Sequence, residues 1–235
     1  MNSGPGAARE RGLVVAIDGP SGAGKSTIGR ALADALGYTY LDTGAMYRAL
    51  AVRVLEQNIS MDDDAGLARA ASLASISFDE TGRRVLLDGR DVTDLIRSHE
   101  ATKAASEVAK IGAARRELVR RQQDLGRQGG VVLDGRDIGS VVFPDAEVKF
   151  YLDAAPEERA RRRFDELRAK GQEPFFEAIL GDIRARDHQD MNRTDSPLVC
   201  CADAIVVDTT TMSPDEVVAR LLERARARID EGRVR

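Results

Sequence analysis

Gly19-Pro20-Ser21-Gly22-Ala23-Gly24-Lys25-Ser26 is the stretch whose residue types and spacing most directly specify a chemistry. It follows the pattern G-x-x-x-x-G-K-[ST]. Such a loop aims backbone N–H groups, and the positive end of the helix that follows, at a polyphosphate. The Lys25 ammonium can reach the β- and γ-phosphates, and the Ser26 hydroxyl can hold Mg²⁺. With Thr27, these residues are read as a cradle for a nucleoside triphosphate. Their setting agrees. An apolar run at 13–17 reads as a buried strand, and Ile28, Ala31, Leu32, Ala35 and Leu36 fall at the i, i+3, i+4, i+7, i+8 spacing of one helix face. Gly37 supplies a stop.

The fate of the γ-phosphate must be read elsewhere. The sequence has no N-K-x-D segment to read guanine, so a signalling GTPase is disfavoured. Asp134 follows the apolar run Val131-Val132-Leu133 and could orient Mg²⁺ through water, but Gly135 stands where a water-activating glutamate would be expected in a hydrolase. Phosphoryl transfer to a second small molecule remains. That reaction depends on positioning and electrostatics. It needs an arginine-rich second pocket and a cover that excludes water.

Candidates for that pocket lie at strand ends. Asp42 and Thr43 close the second strand, with Tyr47 and Arg48 one turn on, and Arg136 and Asp137 follow the third. Arg186, Asp190 and Arg193 stand at i, i+4 and i+7, which on a helix puts a carboxylate between two guanidiniums. A solvated salt-bridge ladder has the same spacing, but guanidinium forks suit phosphate oxygens, and Asp190 could accept from ribose hydroxyls. Leu87-Asp88-Gly89-Arg90-Asp91-Val92 nearly repeats Leu133-Asp134-Gly135-Arg136-Asp137-Ile138. The first copy is read as a turn and the second as part of the site.

Positioning these groups requires an α/β fold. Apolar runs at 13–17, 38–41, 131–133, 148–152 and 204–207 alternate with helical patterns at 25–36, 44–57, about 98–126, 156–170, 174–190 and 214–230. The alternation predicts a parallel sheet covered by helices, with ligands at the carboxyl ends of its strands. Residues 76–93 read as a β-hairpin turning at Thr81-Gly82, within an inserted subdomain at about 60–95. The arginine-rich helices of 156–190 read as a lid.

A net charge of −4 argues against a long polyanion, and no tryptophan is present to stack bases. No apolar run approaches the length that spans a membrane. The cysteines, Cys200 and Cys201, read as reduced thiols of a cytoplasmic protein. His99 and His188 match no catalytic pattern, and His188 should point away from the Arg186/Asp190 face.

Three segments in order carry a resemblance: residues 17–26, then Leu41-Asp42-Thr43-Gly44-Ala45-Met46-Tyr47-Arg48, then residues 134–146. The chain resembles bacterial cytidylate kinases from about residue 13 to about 230. The resemblance implies transfer of the ATP γ-phosphate to CMP or dCMP, with Mg²⁺, by a monomer of the nucleoside monophosphate kinase architecture. That architecture has a five-stranded parallel core (13–44, 116–155 and 191–230), a monophosphate-binding insert with a small antiparallel sheet (about 45–115) and a helical lid (about 156–190). Residues 1–12 and 231–235 would be tails. Arg48, Arg136 and Arg193 would bind the CMP phosphate, and Arg186 and Asp190 the ribose. Ser106, Arg115 and Asp137 would bind cytosine, and Arg159 and Arg163 would meet ATP phosphates. Lys25, Arg136, Arg193, Arg159 and Arg163 would form the catalytic set. A carboxylate at 137 can accept from cytosine N4, whereas uracil would present an acceptor there. An unpaired buried polar group costs about 1–3 kcal/mol, so CMP is expected to exceed UMP by about tenfold or more.

Overall fold

A computed structural model of the protein describes residues 12–79 and 81–233. In chain order its elements are β1 (Val14–Asp18), α1 (Lys25–Leu36), β2 (Thr39–Asp42), α2 (Thr43–Glu56), α3 (Asp64–Leu73), β3 (Ile76–Phe78), β4 (Val85–Leu87), β5 (Arg90–Asp91), α4 (His99–Val108), α5 (Gly112–Gly126), β6 (Val131–Asp134), β7 (Val148–Asp153), α6 (Pro156–Ala169), α7 (Phe176–Asn192), β8 (Ile205–Asp208) and α8 (Pro214–Arg233). A five-stranded sheet runs β2-β6-β1-β7-β8, parallel at every pairing. A separate antiparallel sheet runs β3-β4-β5.

The apolar runs explain the sheet. Every residue of β1 is buried, as a central parallel strand covered on both faces requires. Val15 and Ile17 pack with Ile28 and Leu32 of α1 and Val217 and Leu221 of α8. The alternate residues Val14 and Ala16 join Leu41, Leu133, Ile138 and Val142 on the opposite face. A third cluster, formed largely by α2, α3, α5 and the small sheet, gives the insert its own core. Each of the five core strands ends in an aspartate: Asp18, Asp42, Asp134, Asp153 and Asp208. These carboxylates gather at the edge where an α/β sheet binds ligands.

The sequence expectations hold for the five strands, each shifted by about one residue, and depart in five places. The pattern at 98–126 is two helices. The chain turns at Ala109–Ile111, where the Lys110 and Ile111 N–H groups donate to Glu107 and Val108 carbonyls and Ile111 is extended. Helix α3 was not anticipated; its N-terminus is capped by Asp63, which accepts from Gly66 N–H at 2.8 Å. The expected hairpin is a three-stranded sheet, because Asp88-Gly89 of the first hexapeptide makes a second turn with both φ values positive, 52° and 80°. Helix α7 ends at Asn192, so Arg193 leaves the helix with extended backbone instead of continuing the face of Arg186 and Asp190. Helix α8 continues through 231–233, where the sequence predicts a tail. The expected tail at 1–12 lies, apart from Gly12, outside the described residues, as do 234 and 235.

The turn of the β3–β4 hairpin reaches the main sheet. A Cβ at Gly82 would collide with the Tyr40 carbonyl oxygen on β2, one of the two edge strands.

Gly19 is the glycine that the cradle needs most. Its φ is 145°, and a Cβ there would collide with the Leu152 carbonyl oxygen. At Gly37, with φ of 68°, nothing lies within 4 Å. Backbone strain of the Gly19 kind costs about 1–3 kcal/mol before any collision, against about 1–2 kcal/mol for an open left-handed position. Each kcal/mol lowers Tm by about 2–4 °C at this chain length. Gly19→Ala should therefore melt lower than wild type by roughly 6 °C or more, and lower than Gly37→Ala; equal melting of the two variants would refute the close approach.

Candidate active site

The cradle and the predicted second pocket open into one cavity of about 480 Å³. Ser21, Gly22, Gly24, Lys25, Ser26 and Thr27 line one end. Gly19, Pro20 and Ala23 support the loop from behind and do not line it. Gly19 abuts Leu152, the Pro20 carbonyl accepts from the Lys25 ammonium at 2.6 Å, and the Ala23 carbonyl accepts from the Thr209 hydroxyl at 3.5 Å. Lys25 is buried; burial and the nearby Arg136 and Arg186 guanidiniums push its pKa down, against the pull of Asp134 and Asp18.

Asp134, at the end of β6, joins three elements. Its Oδ2 accepts from the Ser26 hydroxyl at 3.0 Å and its Oδ1 from the Tyr40 hydroxyl at 2.7 Å. Its backbone carbonyl accepts from the Thr43 hydroxyl at 2.7 Å. Burial and the Asp42 carboxylate push its pKa up, opposed by Lys25. Ser26 and Asp134 present adjacent hard oxygen donors, a set that fits Mg²⁺. No group of three or more His, Cys, Asp or Glu able to hold a metal occurs among the described residues. In the sequence Tyr40 carries only the signal of an apolar strand residue, and nothing there points to this role for its hydroxyl.

Asp18 was also missed. Its carboxylate accepts from Ile138 N–H at 2.8 Å and Gly139 N–H at 2.7 Å, fixing the helical turn at Ile138–Val142 against the start of the phosphate loop. Burial pushes its pKa to about 6, although the two N–H donors oppose this.

The predicted second pocket comes together around the same cavity. Arg48, Arg136, Arg186 and Arg193 all line it with Lys25. Carboxylates separate the guanidiniums. Arg48 pairs with Asp42 at 2.7 Å, and Asp42 also caps α2 by accepting from Ala45 N–H. Arg136 Nε donates to Asp190 at 2.8 Å. Arg193, held by donation from Nε to the Ser196 carbonyl at 2.6 Å, lies 3.7 Å from Asp190 and 4.0 Å from Asp137. Arg115 pairs with Asp137 at 2.6 Å, both nearly fully buried, and its guanidinium sits 5.4 Å from the centroid of the Tyr47 ring. Burial, then Arg136, lowers the Arg186 pKa to about 10. Burial raises the Asp190 pKa, but Arg136, together with Arg186 and Arg193, more than offsets it, and the carboxyl stays below its ordinary range.

The remaining candidates divide. Ser106 lines the cavity, its hydroxyl 3.4 Å from the Thr102 carbonyl. Arg163 stands at the rim, paired with Glu166 at 2.8 Å. Arg159 also borders the cavity, but its guanidinium is engaged with protein groups: Asp187 at 2.6 and 3.1 Å, the Ser21 carbonyl at 2.9 Å and the Ala154 carbonyl at 2.9 Å. His188 is exposed, away from this face, and Cys200 and Cys201 are free thiols. No described helix is long and apolar enough to cross a membrane.

A polyphosphate entering the cradle would pull the lowered Lys25 pKa back up. Metal-free ATP should therefore bind at pH 8 with net proton uptake, measured by calorimetry in buffers of different ionisation enthalpy. Lys25→Ala should abolish that uptake; an unchanged uptake would mean that another group carries it.

Comparison with known proteins agrees with this geometry. A family model described as cytidylate kinase matches residues 15–227. A cytidylate kinase of Caldanaerobacter subterraneus subsp. tengcongensis is 48% identical over 90% of this chain and 94% of its own. That of Desulfitobacterium hafniense is 46% identical over 96% and 98%, and that of Pasteurella multocida 44% identical over 93% and 97%. The match spans both the triphosphate cradle and the arginine pocket beside it, and on that extent the chain belongs to the cytidylate kinase family.

Proposed function

We propose that the protein transfers the γ-phosphoryl group of ATP to CMP or dCMP, giving ADP and CDP or dCDP. The observation that carries this reading is the convergence of Arg48, Arg136 and Arg193 on the cavity that holds Lys25, in a chain of the cytidylate kinase family. The core, insert and lid follow the partition at about 45–115 and 156–190, with α6 and α7 as the cover.

In this reading the acceptor phosphate lies among Arg48, Arg136 and Arg193. Their charge offsets repulsion between two anionic phosphates and steadies the γ-phosphoryl group as its bond to the β-phosphate oxygen breaks. Lys25 follows the β- and γ-phosphates, exchanging the Pro20 carbonyl for phosphate oxygen. Mg²⁺ would be held by Ser26 and, through water, by Asp134, and would neutralise charge between the β- and γ-phosphates. The acceptor monoester is already largely ionised near neutral pH, so no side chain is required as a base. Arg186 and Asp190 face the ribose. Cytosine sits against Ser106, Arg115 and Asp137, where the Asp137 carboxylate, fixed by Arg115, accepts from N4. Tyr47 and Thr43 form the floor. In this reading the protein acts as a monomer in the cytoplasm, a compartment that the free thiols fit.

A coupled ADP-release assay with ATP and Mg²⁺ tests this. CMP and dCMP should each exceed UMP by about tenfold or more in kcat/KM, the consequence of about 1–3 kcal/mol for a mispaired buried carboxylate. Equal turnover of UMP would remove the base reading, and ADP release without any acceptor would indicate an ATPase. Removing a donor that acts on the transferred group typically costs about 10²–10³ in rate. Arg193→Ala should lose activity on that scale, and Asp190→Ala should raise KM for CMP while ATP affinity stays near wild type.

A further inference from the structure

The four hydrogen bonds of Arg159 join three parts of the molecule. Arg159 lies in the first turn of α6 and is 3% exposed. Its Nε holds the Ala154 carbonyl at the end of β7, its Nη1 holds the Ser21 carbonyl in the phosphate loop, and both terminal nitrogens grip the Asp187 carboxylate on α7. The loop also packs against its stem: a Cβ at Gly22 would lie 3.2 Å from Arg159 Cβ. Asp187 is 9% exposed. It directly follows Arg186 and precedes Asp190 by three residues, so it shares a helix with two groups assigned above to the monophosphate nucleoside.

We propose that Asp187, acting through Arg159, is a positioning residue that couples the ATP cradle to the CMP pocket, so that occupation of either site strengthens binding at the other. The inference rests on the function proposed above. Its physical basis is the geometry of a bidentate pair. A carboxylate gripped by two parallel N–H donors fixes direction as well as distance, so a shift of the Ser21 backbone is felt along α7. Desolvation makes the alternative costly. If Arg159 swung to an ATP phosphate, Asp187 would be left buried without its principal counter-charge. Held as it is, Arg159 has its charge balanced by Asp187, and it orders the loop's backbone while Lys25 faces the phosphates. Coupling is reciprocal by linkage: a loop ordered by ATP presents α7, with Arg186 and Asp190, in the arrangement that CMP requires.

Calorimetry tests this with CMP titrated into the full-length protein, with and without the non-transferable β,γ-imido analogue of ATP and Mg²⁺. For the wild type the analogue should tighten CMP binding by about 5-fold or more, within the usual range for coupled sites. In Asp187→Asn, which keeps the shape but loses the charge and one acceptor of the pair, that ratio should fall to within about 2-fold of unity. Asp187→Glu, which restores a carboxylate, should recover part of it. Arg159→Lys keeps the charge and loses the fork, and should behave like Asp187→Asn; it serves if the latter does not fold. In steady state, KM for each substrate in Asp187→Asn should no longer depend on the concentration of the other, a readout that general loosening of the fold would not move. A wild-type ratio near unity, or a ratio unchanged in folded Asp187→Asn, overturns the coupling and leaves the proposed function standing. Failure of the wild type to bind CMP at all overturns both.

Discussion

Lys25, Arg48, Arg115, Arg136, Arg186 and Arg193 surround one cavity, and their mutual repulsion is the constraint that the rest of the structure must meet. It is met by interleaving. Asp42, Asp134, Asp137 and Asp190 stand between the cations, and each is placed by backbone rather than by chance. Two of them, Asp42 and Asp134, end core strands, and Asp137 follows the turn after β6. Because Asp42, Asp137 and Asp190 pair with Arg48, Arg115 and Arg136 at hydrogen-bond distance, the pocket can be assembled before any phosphate arrives. Arg186 feels the unbalanced remainder, with its pKa drawn down to about 10 by burial and by Arg136. Such a site is preorganised for anions, because little reorganisation is needed when charge develops within it.

Much of this was legible in the sequence. The cradle reads directly because its chemistry is local: glycines, lysine and hydroxyl lie within eight residues, and the flanking strand and helix have their own periodicity. The sheet reads because fully apolar runs are the expected signature of buried parallel strands. The convergence of Arg48, Arg136 and Arg193 is an expectation from strand-end placement of the first two, from the helical spacing of the third and from the family resemblance, and the structure brings them to one cavity.

What escaped the sequence is what depends on long-range packing. Tyr40 is apolar by pattern, and only its approach to Asp134 across β2 and β6 gives its hydroxyl a use. Asp18 looks like an extension of β1 until the turn after β6 folds back onto it. Arg159 carries the charge of a phosphate ligand, and its engagement with Asp187 depends on two helices meeting. Arg193 has helical spacing from Arg186, but the helix ends one residue earlier. The twin hexapeptides make the point most sharply. Asp88-Gly89 turns a hairpin between the antiparallel strands β4 and β5 of the insert, while Asp134-Gly135 ends a parallel strand buried in the main sheet. Six nearly identical residues take different conformations because one copy turns between two antiparallel strands and the other ends a parallel strand at the ligand edge of the main sheet.

The hairpin turn at Gly82 has a consequence for handling the protein in concentrated solution. Strand β2 is the outer member of the main sheet, and such a strand offers unpaired amides and carbonyls to any other chain that can extend the sheet. The insert lays its turn across the Tyr40 carbonyl, so it shields this rim from intermolecular strand addition. At the far rim, β8 leaves Val206 about half exposed. Any tendency of this protein to aggregate through its main sheet is thereby biased toward β8, and charge introduced at Val206 is the economical place to suppress it.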